Sequence, residues 1–317
     1  MITFASIPEC ATSHGPPRSL QVIVFIFIFN HIAAKPGSIF RVSQNCREYD
    51  VGVLSELLTF IFFVLIGLEI REGLTKPKDA LLPGLCALSG MIVPAIIFIS
   101  LRTGANSWAV AMPTDVALAI AALSLLGKRV NPSVRLFLLT LAVADDFFSL
   151  VVIGIFFRHQ LHIASATYTL GAATLGALLP FRTQLIKWLS PATTFVVIPI
   201  YIWINLLSHL NFSLATNKIS VALILSRVVG KVVGITFAAW VFTRFTQLQL
   251  PQGLNLKEVV GVGTLAGMGL TVSIVIAEIT LTTQDELGQV RIGLFISALI
   301  SGVCGALWLR FTSDGVG

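Results

Sequence analysis

The sequence predicts an all-α polytopic membrane helix bundle of about ten spans. Of its 317 residues 56% are hydrophobic and only 11% charged, with a mean hydropathy of +0.91, whereas soluble domains carry about a quarter charged residues. The apolar residues also come in runs of roughly 17 to 25, the length that crosses a hydrocarbon core as a helix. A transmembrane barrel would need alternation instead. A third observation, that two runs are interrupted by helix-breaking residues, sets the architecture within this class.

In chain order the runs lie at 20 to 34, 51 to 70, 80 to 101, 107 to 126, 134 to 157, 162 to 180, 188 to 208, 219 to 243, 257 to 280 and 290 to 311. The first is short, and Arg18 ahead of it suggests a signal peptide. Small residues do not fill both key positions of an A-x-A site around Ala33 and Ala34, so it reads as an uncleaved, tilted or partial span. With no long polar region, 1–317 reads as a single membrane domain.

The net charge of +6 is scattered one to three residues per loop, which forms no stripe for nucleic acid. Loops with Arg71, Lys76 and Lys78, with Lys128 and Arg129, with Arg182 and Lys187, and with Arg244 and Lys257 alternate with loops holding a single Arg102, Arg158, Lys218 or Arg291. The positive-inside rule puts the richer set, and both termini, in the cytoplasm. Loop 35 to 50, with Lys35, Arg41 and Arg47, breaks the bias and would lie outside. Cys10, Cys46, Cys86 and Cys304 are dispersed and the histidines lack metal-ligand spacing, so neither a disulfide framework nor a cofactor metal is expected.

Within the spans fall Glu56, Asp115, Asp145, Asp146, Arg227, Lys231 and Glu278. The two glutamates sit toward segment ends and reach the interface. At about 2.5 to 3.5 kcal/mol each, the other five would together cost roughly 12 to 17 kcal/mol facing lipid, which rivals the whole stability of a protein. They therefore face the bundle interior or water, where an ionisable group is a functional candidate. The bland alternative is one cation pinning one aspartate between two helices, which leaves the surplus carboxylates unexplained.

In "AVAMPTDVAL" Pro113 lacks an amide hydrogen and disfavours helix at Met112, so carbonyls near the middle of the fourth run lose their partners. In "GVGTLAGMGLTVS" Gly261, Gly263, Gly267 and Gly269 weaken the ninth run, while Thr271 and Ser273 offer hydroxyls to freed backbone. Glycine also serves close helix packing, as "GKVVG" at 230 to 234 illustrates. The broken fourth run is the middle of the triplet three, four, five, and the broken ninth is the middle of eight, nine, ten. The triplets start five spans apart, an odd number, so they cross in opposite senses as an inverted repeat. Interrupted spans at matching positions of inverted halves point to a transporter's binding site near the bilayer midplane.

Adjacent helical residues lie about 100° apart, so Asp145 and Asp146 cannot point the same way. Their second charges repel, and the pair titrates as one coupled unit. A hard cation such as Na+ would compete with those protons for carboxylate, hydroxyl and carbonyl oxygens, and competition at a site open to one side at a time is antiport. Half-helix ends carry about half a charge each. A carboxylate suits exposed N-termini and a lysine suits exposed C-termini, with Asp115 and Lys231 the candidates.

The stretches "MPTDVALAIAALSLLGKRV", "LAVADDFFSLVVIGIFF", "VVGKVVGI" and "GMGLTVSIVIA", with "FFVLIGLEI" and "GMIVPA", resemble the NhaA-type bacterial Na+/H+ antiporters in order and depth over roughly 38 to 311. The resemblance implies that Asp145 and Asp146 carry cation and proton, with Asp146 the direct Na+ ligand and Thr114 beside it. It places Thr114 and Asp115, with Gly267, Gly269 and Thr271, at the crossing of the broken helices, and pairs Lys231 with Asp145 as counter-charge. It further implies electrogenic exchange of Na+ or Li+ for H+ in the inner membrane, a homodimer within the lipid bilayer, pH and sodium homeostasis, no cofactor and no enzymatic reaction. Loop 35 to 50 looks like an external β-hairpin joining protomers.

The chain departs from that family in three places. Between Phe157 and Pro191 it is short by about two of the family's twelve spans, an even number that preserves orientation downstream. Of the family's pH-sensing cluster Glu69, Arg71 and Glu72 are present, but the acidic and histidine positions near Ile186 and Lys187 are not, so the usual alkaline activation is not expected. Arg227, one turn before Lys231, has no recognised counterpart and is a competitor for Asp145. The rival readings are a non-transporting remnant that dimerises and a sodium-coupled symporter of an organic anion. An intramembrane aspartyl protease lacks its G-x-G-D signature here.

Overall fold

Hydropathy and breaker residues translate into helices that follow the expected runs closely. A computed structural model of the chain describes residues 57–68, 71, 77–101, 107–126, 130–156, 171–176, 178, 186, 189, 192–207, 210–281 and 283–313. All fall within Ser55–Gly317, which holds together as one unit. The run at 20 to 34, loop 35 to 50, Glu56, Glu69, Glu72 and most of the sixth run lie outside the described residues. Arg71 is exposed.

Helix α1 spans Leu57–Leu68. Helix α2, Pro77–Ser100, opens on a proline, whose missing amide hydrogen costs nothing in a first turn. The fourth run is indeed divided, into a 3₁₀ turn Ser107–Ala111 and helix α3, Val116–Leu125. Helix α4 is Pro132–Phe156, and α5, Ile198–Asn205, follows a π-helical turn at Thr193–Val197. Helix α6 runs over Lys218–Phe245 with a π-helical turn at Ser226–Gly230. The ninth run is divided into α7, Leu256–Ala266, and α8, Thr271–Thr280. Helix α9, Gln284–Thr312, starts six residues before the apolar run because Asp285 and Glu286 occupy its first turn, where the helix dipole favours acids.

Among the described residues α2, α4, α6 and α9 are each long and apolar enough to cross a membrane, and α7 with α8, bent by 48°, makes a fifth, broken span. Their lipid-facing positions are large and apolar, such as Ile96, Ile155, Phe237 and Val303. The chain is a multi-pass membrane protein. At one end of α8 Glu278, its side chain 37% exposed, meets Arg291 at 3.7 Å.

Helix α2 packs against α4 and α6; α9 packs against α7 and the first part of α6. In each triplet the outer helices therefore touch and the broken one lies between them. The two broken spans meet crosswise: the turn before the first break contacts α8, after the second, while α3 contacts α7. Lipid gives helices no hydrophobic reason to associate, so close approach matters. Between α2 and α6 it is extreme: a Cβ on Gly230 would lie 2.9 Å from Pro94 Cα, and one on Gly234 2.7 Å from the Ser89 carbonyl oxygen.

A polar tie closes one end of the bundle. Glu258, buried in the first turn of α7, accepts 2.9 Å hydrogen bonds from the Asn255 backbone amide and from Ser313 Oγ, and Ser313 Oγ in turn accepts from the Asn131 amide at 3.3 Å. The starts of α4 and α7 and the end of α9 are thereby joined. Glu258→Ala removes the carboxylate and leaves two donors without it. The expected cost is about 1–3 kcal/mol, measured as a lower unfolding midpoint in detergent.

Candidate functional site

Each break strands backbone groups in the interior, where they must find partners. At the first, the Met112 amide closes a 3₁₀ turn on Ala109 at 3.2 Å, and 113–115 is irregular before α3 begins. At the second, the Gly267 and Met268 amides close on Thr264 and Leu265 at 3.1 and 3.0 Å. The freed carbonyls at the two breaks mark negative half-helix ends, while α3 and α8 begin with positive ends.

Asp115 answers the positive ends. It is 1% exposed; its Oδ2 accepts from Thr271 Oγ1 at 2.7 Å and from the Thr271 amide at 3.4 Å, at the start of α8. Its Oδ1 accepts from the Leu118 amide at 3.3 Å, in the first turn of its own helix.

The negative ends are answered by Arg227, not by Lys231 as the charge argument expected. Arg227 is fully buried. Its Nη1 donates to the Val110 carbonyl at 2.8 Å and to Ser273 Oγ at 2.9 Å; its Nη2 donates to the Pro113 carbonyl at 3.0 Å and the Gly269 carbonyl at 2.7 Å; its Nε reaches the Gly267 carbonyl at 3.4 Å. A guanidinium has five N–H groups, and these five acceptors engage all of them. Nothing is left over for Asp145, so the competition expected there does not occur. An ammonium has only three donors around one point and cannot serve five spread acceptors at once, whereas the wider planar fork can.

Lys231, 1% exposed, meets Asp145 instead. Its Nζ donates to Asp145 Oδ2 at 2.7 Å and to Thr114 Oγ1 at 2.8 Å, and the Thr114 hydroxyl donates to the same Oδ2. Asp145 Oδ1 is buried and accepts no hydrogen bond among the described residues. Asp146, 3% exposed, follows on α4. Ser149, one turn on, is 2% exposed with its hydroxyl unengaged among the described residues, and the sequence reading overlooked it. The structure thus brings Thr114, Asp145 and Lys231 into one contact, and Asp115 and Thr271 into another. Gly267 and Gly269 lie in the second break, where their carbonyls meet Arg227.

Gly269 has a negative φ, so backbone freedom is not its reason for being glycine. A Cβ there would collide with the Pro113 carbonyl oxygen and with Arg227 Nη2. Gly269→Ala should therefore push the breaks apart at a cost of about 1–3 kcal/mol, read as a lower unfolding midpoint.

Among the described residues no three or more His, Cys, Asp or Glu side chains group in a way that could hold a metal ion. A cation at this place would draw on carboxylate, hydroxyl and carbonyl oxygens, the hard donors that alkali ions prefer.

Two triplets with matching helices broken in mid-membrane, and buried charges of both signs gathered where the breaks cross, define a secondary ion transporter. The family model described as Na+/H+ antiporter 1 matches residues 39–184 and 180–309. The chain belongs to this Na+/H+ antiporter family. It is 27% identical to the Na+/H+ antiporter NhaA of Salmonella arizonae, with 81% of this chain and 82% of the relative aligned. It is 28% identical to the Na+/H+ antiporter NhaA 2 of Aliarcobacter butzleri, with 81% of each chain aligned. It is also 28% identical to the NhaA 2 of Saccharophagus degradans, over 80% of this chain and 83% of the relative.

Proposed function

We propose that the chain exchanges Na+ or Li+ for H+ across the bacterial inner membrane by alternating access, serving pH and sodium homeostasis as a homodimer with both termini in the cytoplasm. One observation carries the reading. Asp145 has one oxygen clamped by Lys231 and Thr114 and the other buried and unengaged, next in sequence to a second buried carboxylate. An uncompensated carboxylate is expensive in the interior, so each carboxylate of the pair stays ionised only while the ammonium or a metal ion offsets it, and otherwise takes up a proton.

In this reading Asp146 is the direct Na+ ligand, with Asp145 and the Thr114 hydroxyl completing the donor set. Sodium arriving at the pair draws Asp145 away from Lys231 and expels the proton load; protons arriving from the other side expel sodium and restore the ion pair. The bond between Lys231 and Asp145 holds the cation-free site together. Asp115 and Arg227 take no part in the exchange and keep the broken helices crossed.

The chain achieves this with a shortened middle. The alignment with the Salmonella arizonae protein runs over 319 positions but uses 81% of this 317-residue chain, so about 60 positions have no residue here. The two stretches matched by the family model meet at 180–184. Both support the loss of about two spans of roughly 20 residues with their loops, which leaves both triplets whole.

Proteoliposomes loaded with Na+ and a pH-sensitive dye test the function. An outward Na+ gradient is expected to acidify the interior, and a flat trace from well-folded protein would defeat the reading.

A further inference from the structure

Arg227 is a large buried charge that ion exchange, as read above, does not use. Four of its five acceptors are carbonyls, and they come from both breaks: Val110 and Pro113 on one, Gly267 and Gly269 on the other. It projects from the π-helical turn Ser226–Gly230, a kind of irregularity that recurs at functional sites. Lys231 follows directly after that turn. Its ammonium sits on Thr114, one peptide unit from the Pro113 carbonyl that Arg227 holds.

We propose that Arg227 is a positioning residue: by occupying the carbonyls of both breaks it keeps Lys231 on Asp145 and Thr114. This rests on the exchange reading for its use, but not for its test. Without the guanidinium, four interior carbonyls lose a charge-assisted donor, and the neighbouring buried ammonium is drawn to them. Lys231 would then divide its donors between helix ends and carboxylate, and the ion pair that the exchange cycle makes and breaks would weaken. With Arg227 present the buried charges fall into two sets. Arg227 and Asp115 are fixed to helix ends, while Lys231 and Asp145 are left to each other beside Asp146.

The test is a double-mutant cycle read by unfolding rather than transport. The unfolding equilibrium of the full-length chain in mixed micelles is measured for Asp145→Asn, Lys231→Met and the double variant, in the wild-type background and again with Arg227→Lys. In the wild type the two residues should be coupled by about a hundredfold or more in the equilibrium constant. With Arg227→Lys, which keeps the charge but loses the fork, the coupling should fall below about threefold. Hydrogen exchange at the Gly267, Met268 and Thr271 amides should quicken at least about tenfold in the same variant.

Should Arg227→Lys fail to fold, Gly269→Ala, which displaces the guanidinium without removing it, serves as the second background with the same expectations. Equal coupling in the two backgrounds, or exchange at those amides within about twofold of wild type, overturns the proposal. Failure of wild-type proteoliposomes to exchange ions would defeat the functional reading and leave this cycle decisive.

Discussion

Asp145→Asn and Lys231→Met are each expected to destabilise the protein by about 3–5 kcal/mol, and the double variant by much less than either. The reason is burial. Both side chains are about 1% exposed and joined at 2.7 Å, so each single change leaves the opposite charge in the interior uncompensated. Removing both leaves no buried charge at that point, and methionine fills much of the lysine stem's volume. Equilibrium unfolding of the four proteins in detergent checks this. Unchanged stability for Lys231→Met would mean that the ion pair holds nothing together.

Asp146→Asn is expected to lower Na+/H+ exchange at least about a hundredfold, the factor that about 3 kcal/mol represents, while the fold survives. Asparagine keeps the shape and one carbonyl oxygen but can neither balance an alkali cation nor carry the proton traded for it. The sign with pH follows from competition. Where one proton displaces one Na+, the apparent KM for Na+ in the wild type should rise about tenfold per unit of acidification. Measuring the initial rate against Na+ concentration at several pH values decides this. A KM independent of pH over the range where rate falls would show that proton and sodium do not share the carboxylates.

The helices and their interruptions were largely readable from residues alone. A proline with no amide hydrogen and four glycines within nine residues weaken a helix, and the divisions fall beside them at 112–115 and 267–270, although Pro83 and Pro94 sit inside an unbroken α2. Asp115 at the start of α8 follows from the same reasoning, since a buried carboxylate needs donors and a fresh helix end supplies them. The partner of Asp145 was less legible. Arg227 and Lys231 lie four residues apart, and regular helical spacing would aim both at the same aspartate.

What separates them is the π-helical turn between and the reach of a guanidinium, neither of which hydropathy encodes. The charge argument sent the wrong cation to the carbonyl ends because it counted charges and not donors. Ser149 escaped for a similar reason: a serine in a helix usually bonds the preceding turn's carbonyl, so its buried, unengaged hydroxyl is visible only once side chains are placed.

Lys231 stands on α6 between Gly230 and Gly234, the two positions where that helix lies flush against Pro94 and Ser89 of α2. Beside them the buried side chain of Ile235 packs on Gly90 of α2, so the two helices are keyed together where the ammonium is carried. Any displacement of α6 along α2 carries the ammonium with it. Since Asp145 stands on α4, which packs against α2, the 2.7 Å bond ties the position of α6 directly to the carboxylates of the other triplet.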